Sequence, residues 1–209
     1  MEIMKRIRAI FISFCLFGLY SMAYSQDFSE IIKAFQESYK FENTGEYLQS
    51  IKTLEAVYDE NSYEINLRLG WLNYQSGKFN ESMALYNKAI SIFPYAIEAK
   101  FGLVLPAAAL AKWDLVIDQY DKILEIDPKN TYANYRLGFI YYERKEYEKA
   151  HSYFEKVVNL YPFDYDGLLM FAWTKFQLHQ LREAKILFNK VLMYSPEDKS
   201  AQEGLSLIK

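Results

Sequence analysis

Cysteine is almost absent from the sequence, since Cys15 is the only one in 209 residues. A disulfide framework is therefore excluded, and packing must stabilise the fold. Histidine is nearly as scarce, and neither His151 nor His179 belongs to a metal-ligand spacing or a nucleophile–base pattern. A glycine-rich phosphate loop is missing as well. We therefore predict a non-enzymatic protein with no catalytic, cofactor-binding or metal-binding residues.

The sequence also lacks an excess of positive charge. Its 24 Lys and Arg residues stand against 27 Asp and Glu residues, which gives a net charge of −3. The basic residues form no stripe that could neutralise phosphates, so nucleic acid is not an expected partner. Glycine and proline are scarce, at 8 and 5 residues, whereas aromatic residues make up 18% of the chain. This composition favours helices that pack through large side chains.

The first 25 residues, which we interpret as a signal peptide, differ from the rest. Three basic residues lie between positions 5 and 8, and an uncharged apolar run extends from Ala9 to Ala23. This order is typical of a secretory signal, and we expect cleavage near Ala23 or Ser25. The run has 15 residues, fewer than the roughly 20 that span a bilayer as a helix; an uncleaved N-terminal membrane anchor is the alternative. We expect an exported chain without a membrane span, in the periplasm or cell envelope if the source is bacterial.

Four of the five prolines recur at a fixed interval. Pro94, Pro128, Pro162 and Pro196 are each 34 residues apart, and such internal repetition indicates a solenoid. Within residues 134–162 apolar side chains recur three and four positions apart on both sides of a charged ERKE segment. This pattern predicts two amphipathic helices joined by a turn. The proline of each unit ends the second helix, because it cannot continue the hydrogen-bond ladder.

The units resemble tetratricopeptide repeats. The resemblance is carried by LGWLNY at 69–74, GKF at 77–79, LGFIYY at 137–142, KA at 149–150 and EA at 183–184, together with the repeated prolines. It implies an all-α fold, a right-handed superhelical solenoid of antiparallel helix pairs. We place an irregular first pair at 26–62, four units at 63–96, 97–130, 131–164 and 165–198, and a capping helix at 199–209.

The resemblance also implies a partner groove, because the first helix of each pair lines the concave face in this family. The groove positions are apolar or aromatic here, and the Lys and Asn residues with which some members clamp a carboxylate are absent. We call them the aromatic stripe: Tyr39, Leu67, Trp71, Tyr74, Phe101, Leu105, Tyr135, Phe139, Tyr142, Leu169, Trp173 and Phe176. Glu64, Glu98 and Asp166 add an acidic edge.

Two interpretations of the aromatic stripe are open. Aromatic residues at helical spacing are commonly core, and these side chains would then pack against neighbouring repeats. A large exposed apolar surface instead marks a binding site with Trp and Tyr as anchors, and the acidic edge would favour a protein or peptide with apolar and basic residues.

We predict a protein-binding scaffold of the cell envelope. The alternatives are a structural component that self-associates into a homo-oligomer within an envelope assembly and, less favoured, a carrier of an apolar ligand.

The fifth proline, Pro106, lies inside the helix-like segment LVLPAAALAKWD at 103–114. A proline in a helix interior costs about 3 kcal/mol, since it removes one donor and clashes with the carbonyl four residues back. Gly102 stands at that place and lacks a side chain that would obstruct a bend. Either the bend and the alanines at 107–109 open a pit in the groove, or the bend only alters the curvature of the solenoid.

Overall fold

The computed structural model describes residues 28–208, which form eleven α-helices and contain no β-strand. The helices are α1 (Phe28–Asn43), α2 (Tyr47–Glu55), α3 (Tyr63–Gln75), α4 (Phe79–Ile92), α5 (Glu98–Ala109), α6 (Trp113–Ile126), α7 (Thr131–Glu143), α8 (Tyr147–Leu160), α9 (Tyr165–Gln177), α10 (Leu181–Tyr194) and α11 (Lys199–Leu207). The predicted all-α class is confirmed. The predicted signal peptide lies outside the described residues, and within them no helix is both long and apolar enough to cross a membrane.

The helices follow one another in pairs joined by tight turns. Each 34-residue unit contains one pair, from α3–α4 to α9–α10, while α1 and α2 form the irregular first pair and α11 follows the last unit. One residue in each turn has a positive φ: Gly45, Gly77, Ala111, Lys145 and His179. This left-handed conformation ends the first helix and reverses the chain. His179 therefore occupies a structural turn.

Most first helices begin at a polar cap that recurs with the repeat. The side chains of Ser62, Asn130, Asp164 and Asp198 each accept a hydrogen bond from the backbone N–H three residues on, which satisfies one of the free donors of a helix N-terminus. Ala96 stands at the corresponding place before α5, and that helix begins without a side-chain cap. The second helices of the four units end two residues before the repeated prolines.

Rings at one position of every unit form the centre of the core. Tyr86, Tyr120, Phe154 and Phe188 are each at most 3% exposed. The ring of Phe154 lies against Gly138 in α7, where an added Cβ would come within 2.9 Å of the ring. A glycine at that place therefore lets the two helices of the pair approach closely.

The first helices lie on the inner side of the stack. α3 packs on α5, and α7 packs on α9, whereas the second helices make their main contacts with first helices. Between α5 and α7 the corresponding contact is weaker. The first helices therefore form one surface, with looser steps between α1 and α3 and between α5 and α7.

Pro106 does not interrupt α5, which continues from Glu98 to Ala109. Its ring is buried, Ala107 is fully buried, and Ala108 packs against the same core. Two of the three alanines are therefore packed, whereas Ala109 is exposed, so the pit stays a prediction. Gly102 has a different reason to be small, because a Cβ there would lie 2.1 Å from Cε1 of Tyr86 in the preceding unit.

Candidate partner-binding surface

The aromatic stripe forms a layer between the core and solvent. None of its twelve side chains is fully buried, and the most exposed are Tyr39 at 50% and Phe139 at 36%. Several of them, including Leu67, Trp71 and Trp173, also pack against the core from outside. The stripe thus has features of both interpretations, and the three residues of the acidic edge are exposed beside it.

A first cleft lies on α1, α3 and α5 and has a volume of about 540 Å³. Five residues of the stripe and edge line it: Tyr39, Leu67, Trp71, Glu64 and Glu98. Sequence reasoning missed the other lining residues, which are Phe35, Tyr63, Arg68, Tyr86 and Gly102. The first cleft therefore brings together side chains from three successive helix pairs.

One side of the first cleft is fixed by a charged network. Arg68 contacts the carboxylate of Glu42 at 2.5 Å and lies 3.9 Å from the ring centroid of Tyr39. Nε1 of Trp71 donates to the other oxygen of Glu42. Burial alone would raise the pKa of Glu42, but the hydrogen bonds from Arg68 and Trp71 and the charge of Arg68 outweigh it and lower the pKa. Glu42 therefore stays ionised and balances Arg68.

The carboxylates at the mouth of the first cleft have no such partner. Glu98 accepts a hydrogen bond of 3.4 Å from the hydroxyl of Tyr63, and Glu64 accepts one of 3.2 Å from Ser62. Neither forms a salt bridge with a described Lys or Arg side chain. Burial and the neighbouring Glu98 raise the pKa of Tyr63, so its hydroxyl remains a donor at neutral pH.

A second cleft, of about 340 Å³, lies where α7, the end of α8 and the start of α9 meet. Its walls include Tyr132, Tyr135 and Tyr161, with Asp164 and Asp166 at one side. Burial raises the pKa of Tyr135, and the charge of Asp166 adds to the effect. The second cleft thus joins one residue of the stripe and one of the acidic edge.

A third depression, of about 360 Å³, contains the stripe residue Phe139. Trp113, Arg136 and Arg144 also line it. The stripe residues that line none of these three clefts are Tyr74, Phe101, Leu105, Tyr142, Leu169, Trp173 and Phe176. Trp173 makes structural contacts instead. Its Nε1 donates a hydrogen bond to Ser200 of α11 at 2.9 Å, and its ring centroid lies 5.0 Å from that of Phe188.

The described residues contain no group of His, Cys, Asp and Glu side chains that could hold a metal ion. His151 lies with its ring centroid 5.1 Å from that of Phe171. Burial lowers the pKa of His151, and Lys175 adds to the effect, so the imidazole is neutral at pH 7. This environment is that of a packed side chain.

The helix pairs and their inner surface define a helical repeat solenoid. Two family models, both described as tetratricopeptide repeat, match residues 37–97 and 131–164. The chain therefore contains tetratricopeptide repeats, and the prediction from its 34-residue period is confirmed.

Curated relatives share the repeats over short regions. A protein CTR9 homolog from Arabidopsis thaliana is 24% identical over 154 residues, which are 68% of this chain and 14% of the relative. The repeat-containing protein MJ1428 from Methanocaldococcus jannaschii is 31% identical over 85 residues, which are 40% of this chain and 15% of the relative. The chain thus aligns with about one seventh of the length of these relatives.

Solved structures share the fold over most of the chain. A tetratricopeptide repeat protein from Parabacteroides merdae superposes with a TM-score of 0.73 at 20% identity, covering 85% of this chain and 72% of that one. A structure of MamA superposes with a TM-score of 0.68 at 21% identity, covering 77% of this chain and 95% of that one. At these identities the likeness shows the fold alone, and the predicted solenoid is confirmed.

Proposed function

We propose that the chain is a non-enzymatic scaffold of the cell envelope that binds a segment of a partner protein along the surface of its first helices. The observation that carries the proposal is the first cleft, where Tyr39, Leu67 and Trp71 remain partly exposed beside Glu64 and Glu98. Partly exposed aromatic side chains within a concave surface are the usual anchors of a protein interface. The tetratricopeptide fold itself supports a role in protein–protein interaction.

Paired variants test the first cleft. We expect Tyr39→Ala with Leu67→Ala to lose a partner that the unchanged chain captures from an envelope extract of its source, because both side chains line the first cleft. The control is Ile186→Ala with Tyr194→Ala, which removes one aliphatic and one aromatic side chain, 54% and 55% exposed, from α10. Quantitative mass spectrometry measures the capture, and circular dichroism confirms that both variants fold. Equal capture by the two variants would contradict the proposal.

The envelope location has its own test. The proposal rests on residues 1–25, whose basic start and apolar run are typical of an export signal. We expect fractionation of the source cells to place the chain in the envelope fraction and N-terminal peptide analysis to begin after residue 23 or 25. An intact N-terminus in the membrane fraction would support the anchor instead.

Light scattering distinguishes the scaffold function from the alternative of a self-associating structural component. We expect a monomer mass that does not change with concentration. A mass that rises with concentration would favour the structural alternative.

A further inference from the structure

The two clefts are the same feature of the fold, repeated after two units. Leu67 and Glu98 of the first cleft correspond to Tyr135 and Asp166 of the second, and each of these pairs is 68 residues apart, or twice 34. In both, an apolar or aromatic residue from one first helix lines the cleft together with a carboxylate from the first turn of the next. The solenoid therefore presents two related sites on one surface.

The corresponding place between the two clefts is filled. Tyr132 stands there where the clefts have Glu98 and Asp166, and its ring centroid lies 5.5 Å from that of Phe101 and 6.4 Å from that of Tyr120. The step between the clefts is therefore an aromatic surface that continues into the wall of the second cleft, with Arg136 beside Tyr120. A ligand that occupied both clefts would cross this surface.

The charge of the two clefts is negative. In the first cleft, Glu42 balances the charge of Arg68, so the negative charges of Glu64 and Glu98 are not neutralised by it. The second is lined by Asp164 and Asp166 and by no Lys or Arg. Asp164 caps α9 by accepting a hydrogen bond of 2.7 Å from the N–H of Gly167, which leaves Asp166 exposed without a salt bridge to any described side chain.

Carboxylates are favoured in the first turn of any helix, so these acids alone would not define a site. Their neighbours give them a ligand chemistry. The aromatic walls suit the aliphatic stem of a Lys or Arg side chain and the face of its cationic group, while the carboxylates take the charge.

We propose that the two clefts together bind one extended segment of a partner protein that carries two Lys or Arg side chains about six residues apart. The proposal rests on the proposed function and specifies its ligand. Neighbouring packed helices lie about 8–10 Å apart. Because the contact between α5 and α7 is a loose one, we take the upper end of this range, so two steps along the first helices span about 20 Å. An extended chain covers about 3.3 Å per residue, which gives the spacing. The residues between the two cations would lie on Phe101 and Tyr132.

Synthetic peptides test the spacing directly. Each peptide carries two Leu-Arg pairs in a Ser/Thr/Ala background, with the arginines 3, 6, 9 or 12 residues apart, and a further peptide has one pair only. Fluorescence anisotropy measures the affinity of each peptide for the full chain. We expect the tightest binding at a spacing of six. Its affinity should be at least about tenfold higher than that of the one-pair peptide, because the second anchor binds intramolecularly. Replacing both arginines with glutamine should abolish this gain, and added salt should weaken it.

Variants of the chain test the two clefts. Glu98→Gln and Asp166→Asn should each reduce the affinity for the six-spaced peptide to about that of the one-pair peptide. The matched control is Glu148→Gln, since Glu148 is an exposed carboxylate in the first turn of the second helix α8 and should have no effect. Circular dichroism confirms that all three variants fold.

Three results would overturn this inference: affinity that does not depend on spacing, equal binding of the glutamine peptide, or no binding of any peptide. These outcomes are distinct from failure of the proposed function. If the Tyr39→Ala, Leu67→Ala variant lost its natural partner while the peptides showed no preference for spacing, the scaffold would stand and the two-cation ligand would not.

Discussion

At the scale of single residues, the fit between one ring and one glycine determines how closely neighbouring units approach. Tyr86 of α4 lies against Gly102 of α5, and Phe188 of α10 lies against Gly204 of α11 in the same way, where an added Cβ would come within 2.2 Å of its Cζ. Sequence reasoning connected Gly102 with Pro106 instead. The ring belongs to the preceding unit, so the pattern within one repeat could not reveal this contact.

Gly102→Ala should destabilise the protein, although alanine favours a helix more than glycine does. The new Cβ would lie 2.1 Å from Cε1 of the buried Tyr86 ring, and overpacking of a core typically costs 1–3 kcal/mol, more than the ~1 kcal/mol gained in helix propensity. We expect urea denaturation to show a free energy of unfolding lower by up to about 2 kcal/mol.

A second substitution identifies the cause of that loss. Tyr86→Leu removes the ring, so Gly102→Ala should cost much less in the Tyr86→Leu background than in the unchanged chain. If the cost were the same in both backgrounds, the ring contact would not be the reason for the glycine.

At the scale of the helix, a buried donor at the fourth position of a unit ties the first helix to the turn before it. Nδ2 of Asn66 donates to the carbonyls of Glu60 and Ser62, and Nδ2 of Asn134 to those of Pro128 and Asn130. Lys100 at the same position donates to carbonyls in the turn before α5. Burial lowers the pKa of Lys100, and the charge of Lys122 adds to the effect. Because the residue types differ, the sequence pattern did not expose this shared role.

Asn134→Ala should therefore weaken the junction between the units 97–130 and 131–164. It removes two hydrogen bonds, of 3.2 and 2.8 Å, at a fully buried side chain, and each hydrogen bond contributes about 0.5–1.5 kcal/mol. Gln202→Ala is the matched control, since Gln202 makes the corresponding bond of 3.4 Å to Pro196 at an exposed site. Urea denaturation should show a larger loss for Asn134→Ala, and equal losses would contradict this role.

Pro106→Ala should stabilise the protein. The alanine N–H could donate to the carbonyl of Gly102 and complete α5, which relieves about 3 kcal/mol. Loss of the buried proline ring destabilises the fold by about 1–2 kcal/mol and offsets part of this gain. We expect the free energy of unfolding to rise by about 1–2 kcal/mol. Pro94→Ala is the control, and it should be neutral or slightly destabilising, because Pro94 lies after the end of α4 and its ring restricts the unfolded chain.

At the scale of the whole molecule, the 34-residue period of the sequence was enough to predict the fold. The clefts could be identified only from the three-dimensional structure. The repeated prolines and the helical spacing of apolar residues are local signals, and they predicted the helix pairs. Leu67, Trp71 and Glu98 line the first cleft. They were predicted as residues of the groove and its acidic edge because they occupy groove positions of the family. Phe35, Tyr63 and Arg68 were missed, because the first cleft takes its walls from three successive pairs and no single unit encodes that contact.

A stack of this kind should lose stability locally when its end is removed. α11 covers the last apolar face: Ala201 is fully buried, Gly204 lies against Phe188, and Ser200 accepts the hydrogen bond from Trp173. Ending the chain at Asp198 would expose these surfaces, and each unit of a solenoid is stabilised mainly by its direct neighbours. We expect hydrogen–deuterium exchange to show a loss of protection in α9 and α10 while α3 and α4 keep theirs.

Ser200→Ala distinguishes the stabilising effect of the whole capping helix from that of the single hydrogen bond between Trp173 and Ser200. This variant keeps α11 and removes only the acceptor for Trp173, at a cost of about 0.5–1.5 kcal/mol, so α9 and α10 should stay largely protected. If the truncated chain lost protection equally from α1 to α10, the units would unfold as one body, and the stability of the first cleft would depend on α11. Local loss would instead mean that the first cleft stays intact without the cap, because the main contacts of α11 are with α9 and α10 and not with α1, α3 or α5.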